Sequence, residues 1–231
     1  MLAAYATIVA ANAMEKRSIF LSGGTGYLGK SLSGKLLERG HRVLVLARPG
    51  SERNVQPGAT VISGDALKSS SFADRVEAGS TFVHLTGVAH PAPWKEVQFR
   101  AIDLVSLRAS AEAARSAGVA HFVYVSVAHP APTMKAYIRV RMECEEILAY
   151  TGLPRTILRP WYVLGPGHRW PMILRPLYAL LEANSSTRAG ALRLGLVTLE
   201  EMTTALLSAV EHPVSSGVNI MEVPAIRMAG R

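Results

Sequence analysis

A chain of 231 residues with 49% hydrophobic and 18% charged side chains buries a sizeable core, which excludes a disordered or low-complexity polypeptide. Its single cysteine, Cys144, excludes an internal disulfide and a cysteine-based zinc cluster. The formal charge of +8 attracts anions, yet the basic residues are scattered with no Lys/Arg block, so a solvated basic surface accounts for it better than a nucleic-acid footprint.

Met1 to Met14 is mostly apolar, lacks a basic n-region and is too short to span a bilayer. Residues 1–17 are therefore expected to be a flexible extension, with Met14 as the natural start, and 18–231 a single domain. From Ser18, short β-rich runs alternate with helical patterns, as in βαβ units. Strand one is Ile19–Leu21, and helix one carries Leu28, Leu32 and Leu36 before Gly40. Strand two is Val43–Leu46, strand three Thr60–Ile62, and a short helix lies near Phe72–Ala78. Strand four (Thr81–Leu85) leads to a long helix over Lys95–Ala117. Strand five (Phe122–Val125) leads to a helix over Met134–Tyr150, then strand six, Arg155–Leu158. Less regular sequence follows: the loop Gly165-Pro166-Gly167, a helical stretch near Met172–Ala183, a strand over Leu192–Val197, a helix Leu199–Val210 and a last strand near Val218–Val223. The expected fold is α/β, a Rossmann-type doubly wound parallel sheet (core 18–167) with a small C-terminal substrate-side region (168–231).

Between strand one and helix one stands Gly23-Gly24-Thr25-Gly26-Tyr27-Leu28-Gly29. In that context Gly23 permits the tight turn, Gly26 lets backbone approach a pyrophosphate, and Gly29 lets the helix pack on the sheet. Phosphates would sit at the helix N-terminus, among backbone N–H groups and the macrodipole. The tip of strand two reads Leu46-Ala47-Arg48-Pro49, with Arg53 nearby and no carboxylate for a ribose 2′-hydroxyl. Arg48 suits a 2′-phosphate, which favours NADP over NAD; a solvent-facing Arg48 stacked on adenine would leave the choice open. Asp65, at the tip of strand three, is either an acceptor for the adenine amino group or an ordinary turn residue.

These residues resemble the short-chain dehydrogenase/reductase superfamily, its extended and atypical branches, which hold epimerase-like and NmrA-like NAD(P)-binding proteins. The resemblance covers about Ser18 to Gly167. It rests on Gly23-x-x-Gly26-x-x-Gly29, Gly64-Asp65, His84-Leu85-Thr86-Gly87, Tyr124-Val125-Ser126, Thr156-Ile157-Leu158-Arg159-Pro160 and Gly165-Pro166-Gly167. It implies that Thr25, Tyr27, Leu28, Asp65, Ala66, Thr86, Gly87 and Pro160 contact the cofactor. It also implies catalysis by a strand-five Ser and a Tyr-x-x-x-Lys pair. Ser126 and Tyr137 match, but the lysine position is Arg141. An arginine can lower the tyrosine pKa and bond a ribose, yet it relays no proton. Against this catalytic set stands the plainer reading of Tyr137 as an amphipathic helix residue and Arg141 as a surface charge.

One hexapeptide occurs twice, as Val88-Ala89-His90-Pro91-Ala92-Pro93 and Val127-Ala128-His129-Pro130-Ala131-Pro132. Both copies follow neighbouring strands, so His90 and His129 are expected on extended loops beside the ligand crevice. There they serve as acid/base groups or anion contacts, or else merely shape two turns. Trp161 and His168 join them as substrate-side candidates, and no third ligand for a metal is evident. The function expected is an NAD(P)-dependent oxidoreductase or epimerase/dehydratase-like enzyme acting on a small molecule. The alternative is a non-catalytic NAD(P)(H)-binding sensor or assembly protein. A cytoplasmic location without stable membrane insertion is expected, and the helices flanking strand five, where the superfamily pairs, admit a homodimer.

Overall fold

The computed structural model describes residues 15–164 and 188–230. The N-terminal extension to Met14, the Gly165-Pro166-Gly167 loop, His168 and the stretch Met172–Ala183 lie outside the described residues.

The main sheet is formed by β1 (Ser18–Ser22), β2 (Arg42–Ala47), β3 (Thr60–Ser63), β4 (Thr81–His84), β5 (His121–Val125), β6 (Arg155–Arg159) and β9 (Val218–Glu222). Its order is β3-β2-β1-β4-β5-β6-β9 and every pairing is parallel. A separate two-stranded pair joins β7 (Tyr162–Leu164) to β8 (Leu196–Thr198). The strand order reverses between β1 and β4, and the crevice at such a switch point is where open parallel sheets bind ligands.

Strand alternation divides the core. Phe20, Phe82 and Phe122 share one face in register, with ring centroids 5.1 Å apart at each step. On this face pack α2 (Val105–Ala117) and α3 (Lys135–Thr151) through Leu107, Val140, Cys144 and Leu148. The opposite face carries Leu21, Val45, Val83 and Leu158 against α1 (Tyr27–Glu38) and α5 (Leu199–Glu211). Burial pushes the Cys144 thiol up to about 11, which makes it a core side chain and not a nucleophile.

Four elements differ from the sequence expectation. The helical run ahead of α2 begins at Pro93–Lys95 and Glu96–Gln98, then widens into a π-helical segment at Phe99–Leu104. Leu192 and Arg193, expected in a strand, belong to α4 (Arg188–Arg193), because the Ala- and Leu-rich run favours helix until Gly195. The last strand stops at Glu222, and α6 (Val223–Ala229) follows with Pro224 in its first turn, where a proline lacks nothing. The expected short helix near Phe72 is two single 3₁₀ turns, Ser69–Ser71 and Ala73–Arg75.

Part of the C-terminal region read as substrate-side belongs to the core. A capping box starts α5: Thr198 Oγ1 accepts the Glu201 N–H at 3.1 Å, and the Glu201 carboxylate accepts the Thr198 N–H at 2.7 Å. The helix then covers α1, and β9 completes the sheet. Among the described residues no helix is long and apolar enough to cross a membrane.

Two buried histidines make the fold acid-sensitive. His84 Nδ1 lies 3.0 Å from both Ser22 Oγ and Ser110 Oγ, and His121 Nε2 lies 3.0 Å from Thr156 Oγ1. Burial, helped by the Arg141 charge, lowers the His84 pKa to about 3; burial and Arg17 lower that of His121 to about 4. A folded pKa below the unfolded value means that the unfolded chain binds more protons. Stability is therefore full above the unfolded pKa and falls as pH drops from about 6.5 toward 4. Urea denaturation should show a loss of about 1.4 kcal/mol per pH unit for each histidine in that window. His84→Gln with His121→Gln should flatten the slope; an equally steep slope in that variant contradicts the assignment.

Candidate functional site

At the end of β1 the chain turns at Gly23 with φ +80°, and the Gly26 N–H donates to Gly23 O at 3.0 Å before α1 begins. The turn is pressed against the loop after β4. A Cβ on Gly23 would stand 2.6 Å from the Leu85 carbonyl carbon and 2.7 Å from the Thr86 nitrogen. A Cβ on Gly29 would stand 2.3 Å from Gly23 O, and one on Gly24 would stand 2.5 Å from Val45 Cγ1. No side chain caps α1 at Gly26, and the N–H groups of Leu28 and Gly29 in its first turn are of the kind that bind an anion. Across the turn, Thr86 Oγ1 is buried and has no hydrogen-bond partner among the described residues. A tight glycine cradle, a helix N-terminus and an orphaned hydroxyl fit a dinucleotide.

The outer ends of the crevice carry the other cofactor candidates. Arg48 and Arg53 are exposed beyond the tip of β2. Asp65 builds a turn: its Oδ1 accepts the Leu67 N–H at 3.0 Å, and its own N–H donates to Ser71 Oγ at 2.9 Å. Ala66 lies in that turn, half-buried.

Beneath the Thr86-Gly87 loop sits a buried ion pair. Arg141 Nη2 donates to Asp103 Oδ1 at 2.6 Å, and the two side chains are 9% and 1% exposed. Arg141 Nη1 donates to Tyr124 Oη at 3.2 Å and to the Val125 carbonyl at 2.8 Å. Asp103 Oδ2 accepts the Val88 N–H at 3.1 Å. Gly87 makes room for the pair, since a Cβ there would stand 2.7 Å from Arg141 Nη2. The reading of Arg141 as a surface charge is thus corrected. The i, i+4 spacing from Tyr137 points it inward, where Asp103 neutralises it.

The guanidinium also lies 5.0 Å from the centre of the Tyr137 ring, and Phe99 closes on that ring at 4.9 Å. Burial raises the Tyr137 pKa more than Arg141 lowers it, so the phenol keeps its proton. The expected depression by arginine is outweighed. Asp103 is also raised, because its burial outweighs the pull of Arg141.

The structure brings Tyr137 and Arg141 together but sends Ser126 elsewhere. Ser126 Oγ donates to Glu145 Oε1 at 2.5 Å, on α3 one turn beyond Arg141. Glu145 accepts a second bond from Arg159 Nε at 3.1 Å, and Arg159 Nη1 reaches Glu222 at 3.1 Å. Asp103 and Glu145 are site residues that spacing did not suggest. Their only signal is a carboxylate at an apolar helical spacing, as Asp103 stands four residues from both Phe99 and Leu107.

The duplicated hexapeptide does not fold the same way twice. His90 is exposed and takes φ +50° instead of extended backbone, as the chain bends toward Pro93. His129 is half-buried, with Nε2 3.7 Å from Glu145 Oε1. Pro160 is buried and its carbonyl accepts the Ala128 N–H at 2.9 Å, which ties the β5 and β6 loops; Trp161 beside it is half-buried. Among the described residues, no three His, Cys, Asp or Glu side chains converge on a metal position.

A family described as NAD(P)H-binding matches residues 23–169. The ceramide reductase of Caulobacter vibrioides is 27% identical over 213 residues, 89% of this chain and 64% of that protein. The divinyl chlorophyllide a 8-vinyl-reductase of Zea mays is 29% identical, over 58% of this chain and 36% of that protein. The chain therefore spans less than two thirds of these relatives' length. The Bordetella bronchiseptica enzyme WbmH in complex with NAD+ superposes with a TM-score of 0.68, covering 90% of this chain and 76% of that one at 20% identity. At that identity the likeness concerns the fold.

Proposed function

This chain belongs to the NAD(P)H-binding family, and from that premise we propose that it is a reductase of the short-chain dehydrogenase/reductase type that prefers NADP. The observation that carries the proposal is the buried Arg141 guanidinium against the ring of a Tyr137 that keeps its proton. A protonated phenol suits the reductive direction. Tyr137 donates its proton to a substrate carbonyl oxygen as that carbon is reduced, and the phenolate formed is stabilised by the adjacent guanidinium until solvent returns a proton. The nicotinamide, when bound, supplies the hydride. Arg141 holds charge and position and moves no proton. Both named relatives are reductases, which agrees with this direction.

The phosphates are assigned to Gly23, Thr25, Gly26 and the first turn of α1. Adenine is assigned to Asp65 and Ala66, the 2′-phosphate to Arg48, and the nicotinamide side to Thr86, Gly87 and Pro160. His129 and Trp161 are assigned to the substrate side with the weaker candidate His90, and Ser126 acts through Glu145. On this reading the protein works in the cytoplasm on a small molecule and not on nucleic acid. A second copy would contact the face between α2 and α3, where Tyr150 is 88% exposed.

The test is a titration with NADPH and NADH, followed by NADPH oxidation over a panel of carbonyl compounds with wild type and Tyr137→Phe. NADPH should bind about tenfold or more tightly than NADH, a difference of about 1.4 kcal/mol. Tyr137→Phe should lower kcat on the order of 100-fold with cofactor affinity unchanged. Turnover indifferent to Tyr137→Phe removes the proton-donor role. Tight NADPH binding with no turnover on any compound favours the second reading, a non-catalytic sensor, which draws on the occupation of Arg141 by Asp103, Tyr124 and Val125.

A further inference from the structure

Beside Tyr137 runs a groove of about 300 Å³ between the segment at Pro93 and the start of α3. Pro93, Phe99, Met134 and Tyr137 contribute the apolar part of its lining. Its rim is charged, with Lys135 and Arg139 one helical turn apart on α3 and Glu96 opposite, 4.0 Å from Arg139. Next to the groove, Trp94 is 83% and Val97 81% exposed, one turn apart on the same short helical segment. Single exposed apolar residues need no explanation. These two stand three residues apart on one short helical segment, each next in sequence to a residue that lines the groove, Pro93 and Glu96. The segment is held in place, since Lys95 Nζ donates to the Ala89 carbonyl at 2.8 Å and Pro91 and Pro93 restrict the chain.

We propose that this groove takes the reactive end of an anionic amphiphile, whose apolar chain runs out over Trp94 and Val97. The inference rests on Tyr137 being the proton donor. A volume of about 300 Å³ is at the low end for a ligand pocket and holds a short chain or one ring, so the rest of a long apolar molecule needs an outer surface. Two rim cations against one carboxylate favour an anionic group on the substrate, at the groove and not at the far end of its chain.

The experiment uses the full chain loaded with NADPH and titrates dodecanoate, dodecanol and butyrate, reading tryptophan emission and heat. Dodecanoate should bind at least tenfold more tightly than either comparison compound and shift the emission to the blue. Trp94→Ala with Val97→Ser should erase the preference for dodecanoate over butyrate. Lys135→Gln with Arg139→Gln should erase the preference over dodecanol. Equal binding of the three compounds by the wild type overturns the proposal, as does an unchanged preference in the variants. Self-association abolished by the Trp94/Val97 variant, or attachment to phosphatidylglycerol vesicles without binding of monomeric dodecanoate, also overturns it in favour of another occupant. The NADPH titration on the same samples separates the two levels: intact NADPH binding without dodecanoate binding overturns this inference alone, whereas absent NADPH binding overturns the proposed function.

Discussion

Gly29→Ala binds NADPH on the order of 1000-fold more weakly than the wild type in a fluorescence titration. The added Cβ would lie 2.3 Å from Gly23 O and 2.5 Å from Gly24 Cα, both backbone atoms that cannot step aside alone. Relief requires α1 to move away from the turn, and the first-turn N–H groups then no longer converge with the loop after β4. Losing two charge-assisted hydrogen bonds to phosphate costs about 4 kcal/mol, which is about three orders of magnitude in affinity. Overpacking also lowers stability by about 1–3 kcal/mol, visible as a lower urea midpoint. Gly34→Ala is the control on the same helix, because the nearest atom to its Cβ is a Gln56 side-chain nitrogen at 3.5 Å. That variant should bind NADPH normally and gain about 0.5–1 kcal/mol from helix propensity. Equal affinity of Gly29→Ala and Gly34→Ala would remove the glycine turn from the cofactor site.

Asp103→Ala destabilises the fold by about 3–5 kcal/mol, the usual cost of leaving one member of a buried ion pair without its partner. A domain of this kind has about 5–15 kcal/mol in total, so the variant should be partly unfolded near physiological temperature. The effect arises because Arg141 cannot discharge itself and its side chain is only 9% exposed in its position under Gly87. The double variant Asp103→Leu/Arg141→Met should recover most of the stability, since an apolar pair of similar volume carries no desolvation penalty. It should not recover turnover, because the guanidinium beside Tyr137 is gone. Urea denaturation of the two variants is the measurement. A loss under 1 kcal/mol in Asp103→Ala would show that water or a rearrangement satisfies Arg141.

Both predictions touch the same small volume, yet only one was legible in the sequence. The glycine turn announces itself through spacing between a β-period run and a 3.6-period run, all within about a dozen residues. The partnership of Arg141 leaves no such trace. Asp103 is thirty-eight residues away on another element, and only the packing of the π-helical segment against α3 joins them. Ser126, Tyr137 and Arg141 fit a familiar spacing, but Ser126 stands just past the end of β5 at Val125. Its hydroxyl then meets Glu145, one turn further along α3. The twin hexapeptides make the point from the other direction, because identical residues adopt different backbones where their surroundings differ.

The parallel sheet, its two apolar faces and the glycine turn were determined by the sequence alone, because periodicity, glycine spacing and strand–turn–helix order are local properties. Tertiary structure alone decided which charges are buried, what neutralises them and whether Tyr137 keeps its proton. It also decided that α5 packs on α1 while β9 completes the sheet, and that Trp94 and Val97 stand exposed near the groove beside Tyr137. Those outcomes depend on desolvation and on contacts between elements far apart in the chain, and neither has a period that can be read along a sequence.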